Sequence, residues 1–155
     1  MKKRVIIMLA FIAFAMSSCK QTKVLYKETV RCLNVELDGS ETLRVTGFGR
    51  DQMDAKEQAL KNAVNVILFK GVKDGNQGCN MRPLIEEPNA RKKYEDYFDE
   101  FFRDGGEYLK YVSLDDKMSK SDYVHKTSTG RAYEMTVRVL RPELKRRMKQ
   151  DNIIR

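Results

Sequence analysis

From Arg131 to Leu140 the chain alternates with a period of two. Tyr133, Met135, Val137 and Val139 fall on one side, and Glu134, Thr136 and Arg138 on the other. Successive side chains of a strand point to opposite faces, so the pattern predicts a strand with one apolar and one wet face. Such a strand needs antiparallel neighbours and a layer that covers its apolar side. The layer is legible upstream. Met53, Leu60, Ala63, Val64, Ile67 and Leu68 recur at helical spacing, with Ala55 and Ala59 beside them. Asp51 is placed to cap this helix, and Asp54 adds negative charge at its positive end. Gly71 is a C-terminal stop. The alanines matter because small residues let a helix lie close to a sheet.

The other elements follow by the same rules. Tyr26 to Leu37 is rich in β-formers, with imperfect alternation around Val30, Cys32 and Leu33. Asp38-Gly39-Ser40 is a turn signal, and Leu43 to Phe48 reads as the second strand of a hairpin. Lys73 to Pro88 is irregular, and a loop of that length in a compact domain is either functional or mobile. Asn89 is the expected cap of a second helix that ends near Gly105-Gly106. Tyr94, Tyr97, Phe98, Phe101 and Phe102 share one face of it, opposite the acidic Glu95, Asp96, Asp99 and Glu100. That aromatic face either packs inward or docks a partner. Glu107 to Leu114 reads as a strand. Ser119 to Lys126 and Arg131 to Leu140 read as a hairpin around Thr127-Ser128-Thr129-Gly130. Pro142 opens a terminal helix whose Leu144 and Met148 face the sheet and whose Lys145, Arg146, Arg147 and Lys149 make it basic. The order β-β-α-loop-α-β-β-β-α has none of the alternation of a doubly wound fold. The expected class is α+β, an antiparallel sheet of about four to five strands with two to three helices mainly on one face.

The first nineteen residues stand apart from this domain. Met1-Lys2-Lys3-Arg4 is cationic, Val5 to Met16 is apolar, and Ser17-Ser18 precedes Cys19. That is the order of a secretory signal peptide. The apolar run is too short to cross a bilayer as a helix, which takes about 20 residues. Met16-Ser17-Ser18-Cys19 resembles a bacterial lipobox, with Met16 where the pattern favours Leu. The resemblance implies that the Cys19 thiol takes a diacylglycerol and becomes the mature N-terminus. Acyl chains of the palmitate kind then anchor the protein, each buried CH₂ contributing about 0.8 kcal/mol. The expected organisation is a signal peptide over 1–18, a lipidated cysteine and short tether over 19–25, and one globular domain over 26–155. Lys20 stands where an aspartate would signal inner-membrane retention in some bacteria. The expected location is therefore the outer membrane, facing the periplasm. Cys32 and Cys79 remain. In an oxidising envelope they form either one disulfide or two separately buried thiols.

Charge and motifs narrow the chemistry. The 30 Lys and Arg residues, three of them in the signal peptide, are mixed with 22 Asp and Glu along the chain. That is not the concentrated basic patch of a nucleic-acid binder. Gly47-Phe48-Gly49 lies between a strand and a helix, but the dinucleotide fingerprint needs a glycine where Gln52 stands, and no P-loop Lys-Ser/Thr pair is present. It reads as a tight turn with close backbone packing. His125, the single histidine, falls in an expected exposed hairpin, and no Gly-x-Ser-x-Gly elbow accompanies it. One histidine without a Cys-x-x-Cys makes no metal site. Glu86-Glu87 and Asp115-Asp116 lack calcium-loop spacing. No catalytic residue, cofactor or metal is expected.

Val45-Thr46-Gly47-Phe48-Gly49, followed by a helix with Ala55, Ala59 and Ala63, resembles the domain shared by the LPP-twenty group of small envelope lipoproteins and the N-terminal domain of the flagellar T-ring protein. In these a strand ends in a Gly-x-Gly turn and feeds an alanine-rich helix. A later strand of the Tyr133-Glu134-Met135-Thr136-Val137-Arg138-Val139 type precedes a short helix, here opening at Pro142. The resemblance spans roughly residues 43–150, with the aromatic helix and the Cys79 loop as an insertion. It implies a compact α+β domain used for assembly or scaffolding, with no catalytic residues. The expected function is a lipid-anchored module that contacts another envelope protein through the aromatic helix, the 73–88 loop or an open sheet edge. The alternative is binding of a small ligand or cell-wall polymer. Lys145, Arg146, Arg147 and Lys149 are the expected contacts to anionic lipid or wall polymer.

Overall fold

The computed structural model describes residues 29–76, 78–114, 123–127 and 130–155. The fold is α+β. β1 (Val30–Val35) and β2 (Glu41–Gly49) form an antiparallel hairpin. Its turn is built by Asp38, whose carboxylate accepts the Ser40 amide at 3.0 Å and the Ser40 hydroxyl at 2.6 Å. β2 pairs along its full length with β6 (Gly130–Val139), from Glu41 opposite Val139 to Gly49 opposite Arg131. On the far side of β6 lie β4 (Val112–Leu114) and β5 (Tyr123–Thr127), both antiparallel to it. They meet different stretches of β6, so they occupy one column of the sheet in succession. β3 (Asp74–Gly75) joins β1 in parallel. The sheet is thus mixed and not purely antiparallel, because the chain crosses over through a helix before it reaches β3.

That helix is α1 (Gln52–Asn65), continued by a π-helical turn over Val66–Lys70. Asp51 caps it by accepting the Asp54 amide at 2.9 Å, and Asp54 accepts the Arg50 amide in return at 3.1 Å. Glycines and alanines bring α1 onto the sheet. A Cβ on Gly47 would overlap the Ala55 carbonyl oxygen and the Ala59 amide, and would stand 2.8 Å from the Ala59 Cβ. Ala55, Ala59 and Ala63 are wholly buried there, and Ala59 and Ala63 join Leu43, Val45, Met135, Val137 and Val139 in one core cluster. Each large apolar side chain buried in this layer contributes about 1.5–3 kcal/mol. Met53 does not belong to the buried stripe. It is 77% exposed, because it lies on the opposite side of α1 from Ala55 and Ala59. Val64, Ile67 and Leu68 are buried because the chain folds back over the end of the helix. There the Leu84 and Ile85 amides donate to the Ile67 and Leu68 carbonyls at 2.9 Å each.

Two further expectations need correction. The second helix is broken into α2 (Ala90–Lys93) and α3 (Glu95–Phe101) at Tyr94, which leaves helical geometry at φ −113°. Asn89 makes no side-chain cap and takes a left-handed φ of 59°, a conformation asparagine tolerates. Glu107–Tyr111 is a 3₁₀ turn, and only Val112–Leu114 is strand. Side chains three apart eclipse in a 3₁₀ turn, so Tyr108 and Tyr111 both reach the aromatic cluster. Tyr108 stacks on Phe102 at 5.9 Å and Tyr111 on Phe101 at 6.0 Å. α4 (Arg141–Gln150) follows β6 directly, with Pro142 in its first turn and Leu144 and Met148 wholly buried. Cys19, the tether, Tyr26 to Glu28, Asp115-Asp116 and Ser119 to Asp122 lie outside the described residues.

Candidate functional site

The irregular stretch after α1 is fastened at several points. Cys79 is disulfide-bonded to Cys32 in β1, with Cα atoms 6.3 Å apart. Asn76 extends the β1 edge: its amide donates to the Cys32 carbonyl at 3.2 Å and its side chain to the Leu33 carbonyl at 2.5 Å. The Arg141 guanidinium donates to the Arg82 carbonyl at 2.7 Å. With the Leu84 and Ile85 bonds to the π turn, these contacts tie Asn76 and residues 79–85 to the sheet edge, α1 and α4. Hydrogen bonding of this density opposes the local opening that characterises mobile loops.

Arg141 also faces a buried carboxylate. Its Nη1 stands 3.6 Å from Oε1 of Glu41, which has no solvent exposure. Burial pushes the Glu41 carboxyl above its usual range, while the Arg141 charge and the neighbouring Asn80 pull the other way. Burial lowers the Arg141 guanidinium from its usual value, opposed by the Glu41 charge. The pair pins the start of β2 to the start of α4, beneath the fastened loop.

Two clefts flank the segment that follows. One, of about 670 Å³, opens toward the π turn. Phe69, Pro83, Ile85 and Pro88 give it apolar walls, and Lys70, Arg82 and Arg91 are its cations. The other, of about 700 Å³, opens toward α4 and the C-terminal residues, between Tyr94, Ile153 and Ile154, with Lys93, Lys145 and Arg155 at its border. Ile85, Glu86 and Glu87 line both, so residues 84–88 are the ridge between them. A smaller groove of about 320 Å³ along α1 is lined by Gln58, Lys61, Asn62, Asn65, Arg91 and Phe102.

The expected site residues fall as follows. Phe98, Phe101 and Phe102 are 0%, 3% and 8% exposed, so they are core and not a partner-docking face. They pack edge-to-face or tilted against each other, and Phe98 packs edge-to-face on Phe69, whose ring lies 4.8 Å from its own. Tyr97 is half-buried, and its hydroxyl donates to Asp151 at 2.5 Å. Burial raises its phenol, reinforced by that bond to a carboxylate. Burial also raises Asp151, but the bonds from Tyr97 and Arg147 outweigh it and hold the carboxyl below its usual value. Of the five aromatics, Tyr94 lines the 700 Å³ cleft and Phe102 lines the smaller groove.

The basic quartet is not one patch. Arg147 is engaged by Glu107 at 2.9 Å and by Asp151, and Arg146 pairs with Glu143. Lys145 and Lys149 make no ion pair among the described residues. His125 lies in β5. Among the described residues no group of three or more His, Cys, Asp or Glu is placed to hold a metal, and no helix is long and apolar enough to cross a membrane. Glu41 and Arg141 escaped the sequence reading, although a signal existed. Glu41 shares its strand parity with Leu43 and Val45, so a carboxylate stands on the apolar face. Nothing in the sequence marks Asn65, Phe69, Arg82 and Arg91 as cleft residues, because tertiary folding alone joins them. No protein-family model, curated protein or solved structure matches the chain significantly.

Proposed function

We propose that the chain is a lipid-anchored binding and assembly module of a bacterial envelope, held to the outer membrane through Cys19 and working by protein–protein contact on its periplasmic side. The observation that carries this reading is the fastened ridge over 84–88 with a cleft on each side. An irregular segment of this length is functional or mobile, and its disulfide and hydrogen bonds favour the first. A preformed ridge between two clefts of mixed polarity presents apolar walls, cations and carboxylates together, the chemistry of a recognition surface. The resemblance of the Gly47–Gly49 turn and its alanine-rich helix to envelope assembly domains supports the same reading.

A second reading, a small-ligand or wall-polymer binder, draws on the cleft volumes, which lie within the roughly 300–1,000 Å³ of small-molecule sites. In-cell crosslinking of the tagged chain, with pull-down and mass spectrometry, separates the two. Cys19→Ala, which cannot take lipid, is the control. One envelope protein enriched only with the anchored form is the expected result. Absence of any reproducible protein partner, with retention of a wall fragment or small molecule, would transfer the assignment to the second reading.

A further inference from the structure

The small groove and the 670 Å³ cleft share Asn65 and Arg91, so together they form one trough along α1 and its π turn. From Gln58 to Phe69 the helix rises about 16 Å at about 1.5 Å per residue. That length accommodates about five residues of extended chain.

The trough is graded from polar to apolar. At one end Gln58 donates to Asn62 at 3.0 Å, and Asn62 donates to the Thr46 carbonyl at 3.2 Å. This relay fixes both amides and leaves the Gln58 side-chain oxygen as an acceptor. At the middle stands Asn65, half-buried, whose side chain makes no hydrogen bond among the described residues. Beside it the Arg91 guanidinium lies over three rings, 5.0 Å from Phe102, 5.7 Å from Phe98 and 6.0 Å from Phe69. Among the described residues its ion-pair partner is Asp99, 3.4 Å away. Cation–π attraction to these rings holds the guanidinium in place, and its spare N–H groups match a carboxylate. At the far end Phe69, Pro83 and Pro88 are apolar. Lys70, Arg82 and Arg91 line the trough against Glu86 and Glu87; Glu87 is engaged by Lys93 at 2.7 Å, and the further lining cation, Lys61, is engaged by Asp104 at 2.5 Å and Glu57 at 3.5 Å.

We infer that the trough receives an extended acidic peptide, with a carboxylate on Arg91 and Asn65 and an aliphatic side chain between Phe69, Pro83 and Pro88. The inference rests on the chain being a protein-binding module. Extended backbone presents unpaired amides and carbonyls, which Gln58 and Asn65 can meet. Its side chains return to the same face every second residue, so the acidic and aliphatic positions lie two apart.

The test is selection of a displayed random peptide library on the full, lipidated chain in detergent, followed by binding of the selected peptides labelled for fluorescence anisotropy. Expected is enrichment of peptides with Asp or Glu two positions from Leu, Ile or Val. Their affinity falls about tenfold or more in Arg91→Ala and also in Arg91→Lys, which keeps the charge but loses the fork. Asn65→Asp, at the half-buried last residue of α1, where the Asn65 side chain makes no hydrogen bond among the described residues, repels the same peptides while leaving the thermal midpoint near that of the parent. Failure to enrich any peptide, enrichment of neutral or basic peptides, or unchanged affinity in Arg91→Ala and Asn65→Asp would overturn the inference. Should crosslinking in cells still yield an envelope partner, the module reading survives and the acidic-peptide assignment falls.

Discussion

Gly47→Ala is the sharpest test of how α1 meets the sheet. The new methyl would overlap the Ala55 carbonyl oxygen and the Ala59 amide, both backbone atoms of the helix. A flexible side chain could swing aside, but these atoms move only if α1 lifts from β2. Overpacking a core costs about 1–3 kcal/mol, and backbone obstruction puts this substitution at the upper end. Alanine returns about 0.4–1 kcal/mol by restricting the unfolded chain. The net loss is about 2 kcal/mol, which for a domain of this size lowers the thermal midpoint by about 8 °C. Gly78→Ala is the internal control, since a Cβ there meets nothing within 4 Å. It is expected to be neutral or slightly stabilising. Thermal melts followed by circular dichroism on both variants decide the matter. A midpoint within about 2 °C of the parent for Gly47→Ala would show that α1 does not rest on Gly47.

Reducing the Cys32–Cys79 bond, which links residues 47 apart, frees a loop whose closure is worth about 4 kcal/mol in the chain-entropy model; urea midpoints with and without reductant should differ by an amount approaching that figure. Arg141→Met leaves the Glu41 carboxylate buried and uncompensated, with an expected loss of about 3–5 kcal/mol, and adding Glu41→Gln should recover most of it. Because burial raises the Glu41 carboxyl, its protonated form contributes stability that is fully present below the usual carboxyl range and lost as pH rises through the raised value. The Arg141→Met deficit should therefore shrink on acidification, as urea melts at pH 4 and pH 7 would report. Asp151 has the opposite sign: its lowered carboxyl stabilises above the usual range and ceases to do so as pH falls through its folded value, so Asp151→Asn should flatten the acid limb of stability. Phe98→Ala should cost about 3–5 kcal/mol by urea melt, whereas an aromatic face built for a partner would tolerate it.

Periodic features were legible in the sequence. The β6 alternation, the Asp38-Gly39-Ser40 turn and the Asp51 cap each follow from local rules, and each lies where those rules put it. Features that depend on what packs against an element were not. Met53 belongs to a helical pattern, but the sheet meets α1 on its alanine side. The five aromatics are equally compatible with an interior and a docking face until Phe69, Tyr108 and Tyr111 are brought against them. The candidate site is almost wholly tertiary. Asn65 and Phe69 come from the end of α1, Arg82 to Pro88 from the irregular stretch, and Arg91 from a helix of four residues. No local period links such residues. The buried Glu41–Arg141 pair was half-visible, as a carboxylate in apolar register without a sequence neighbour to neutralise it.

The most direct test of the binding-ridge assignment is site-specific photo-crosslinking in cells. A photoreactive residue is placed at Glu86, on the ridge between the clefts, and in a second strain at Gln52, exposed at the start of α1. The ridge assignment predicts a discrete protein adduct from position 86 that is absent from position 52 and depends on Cys19. Equal labelling from both positions, or an adduct from position 52 alone, would contradict it.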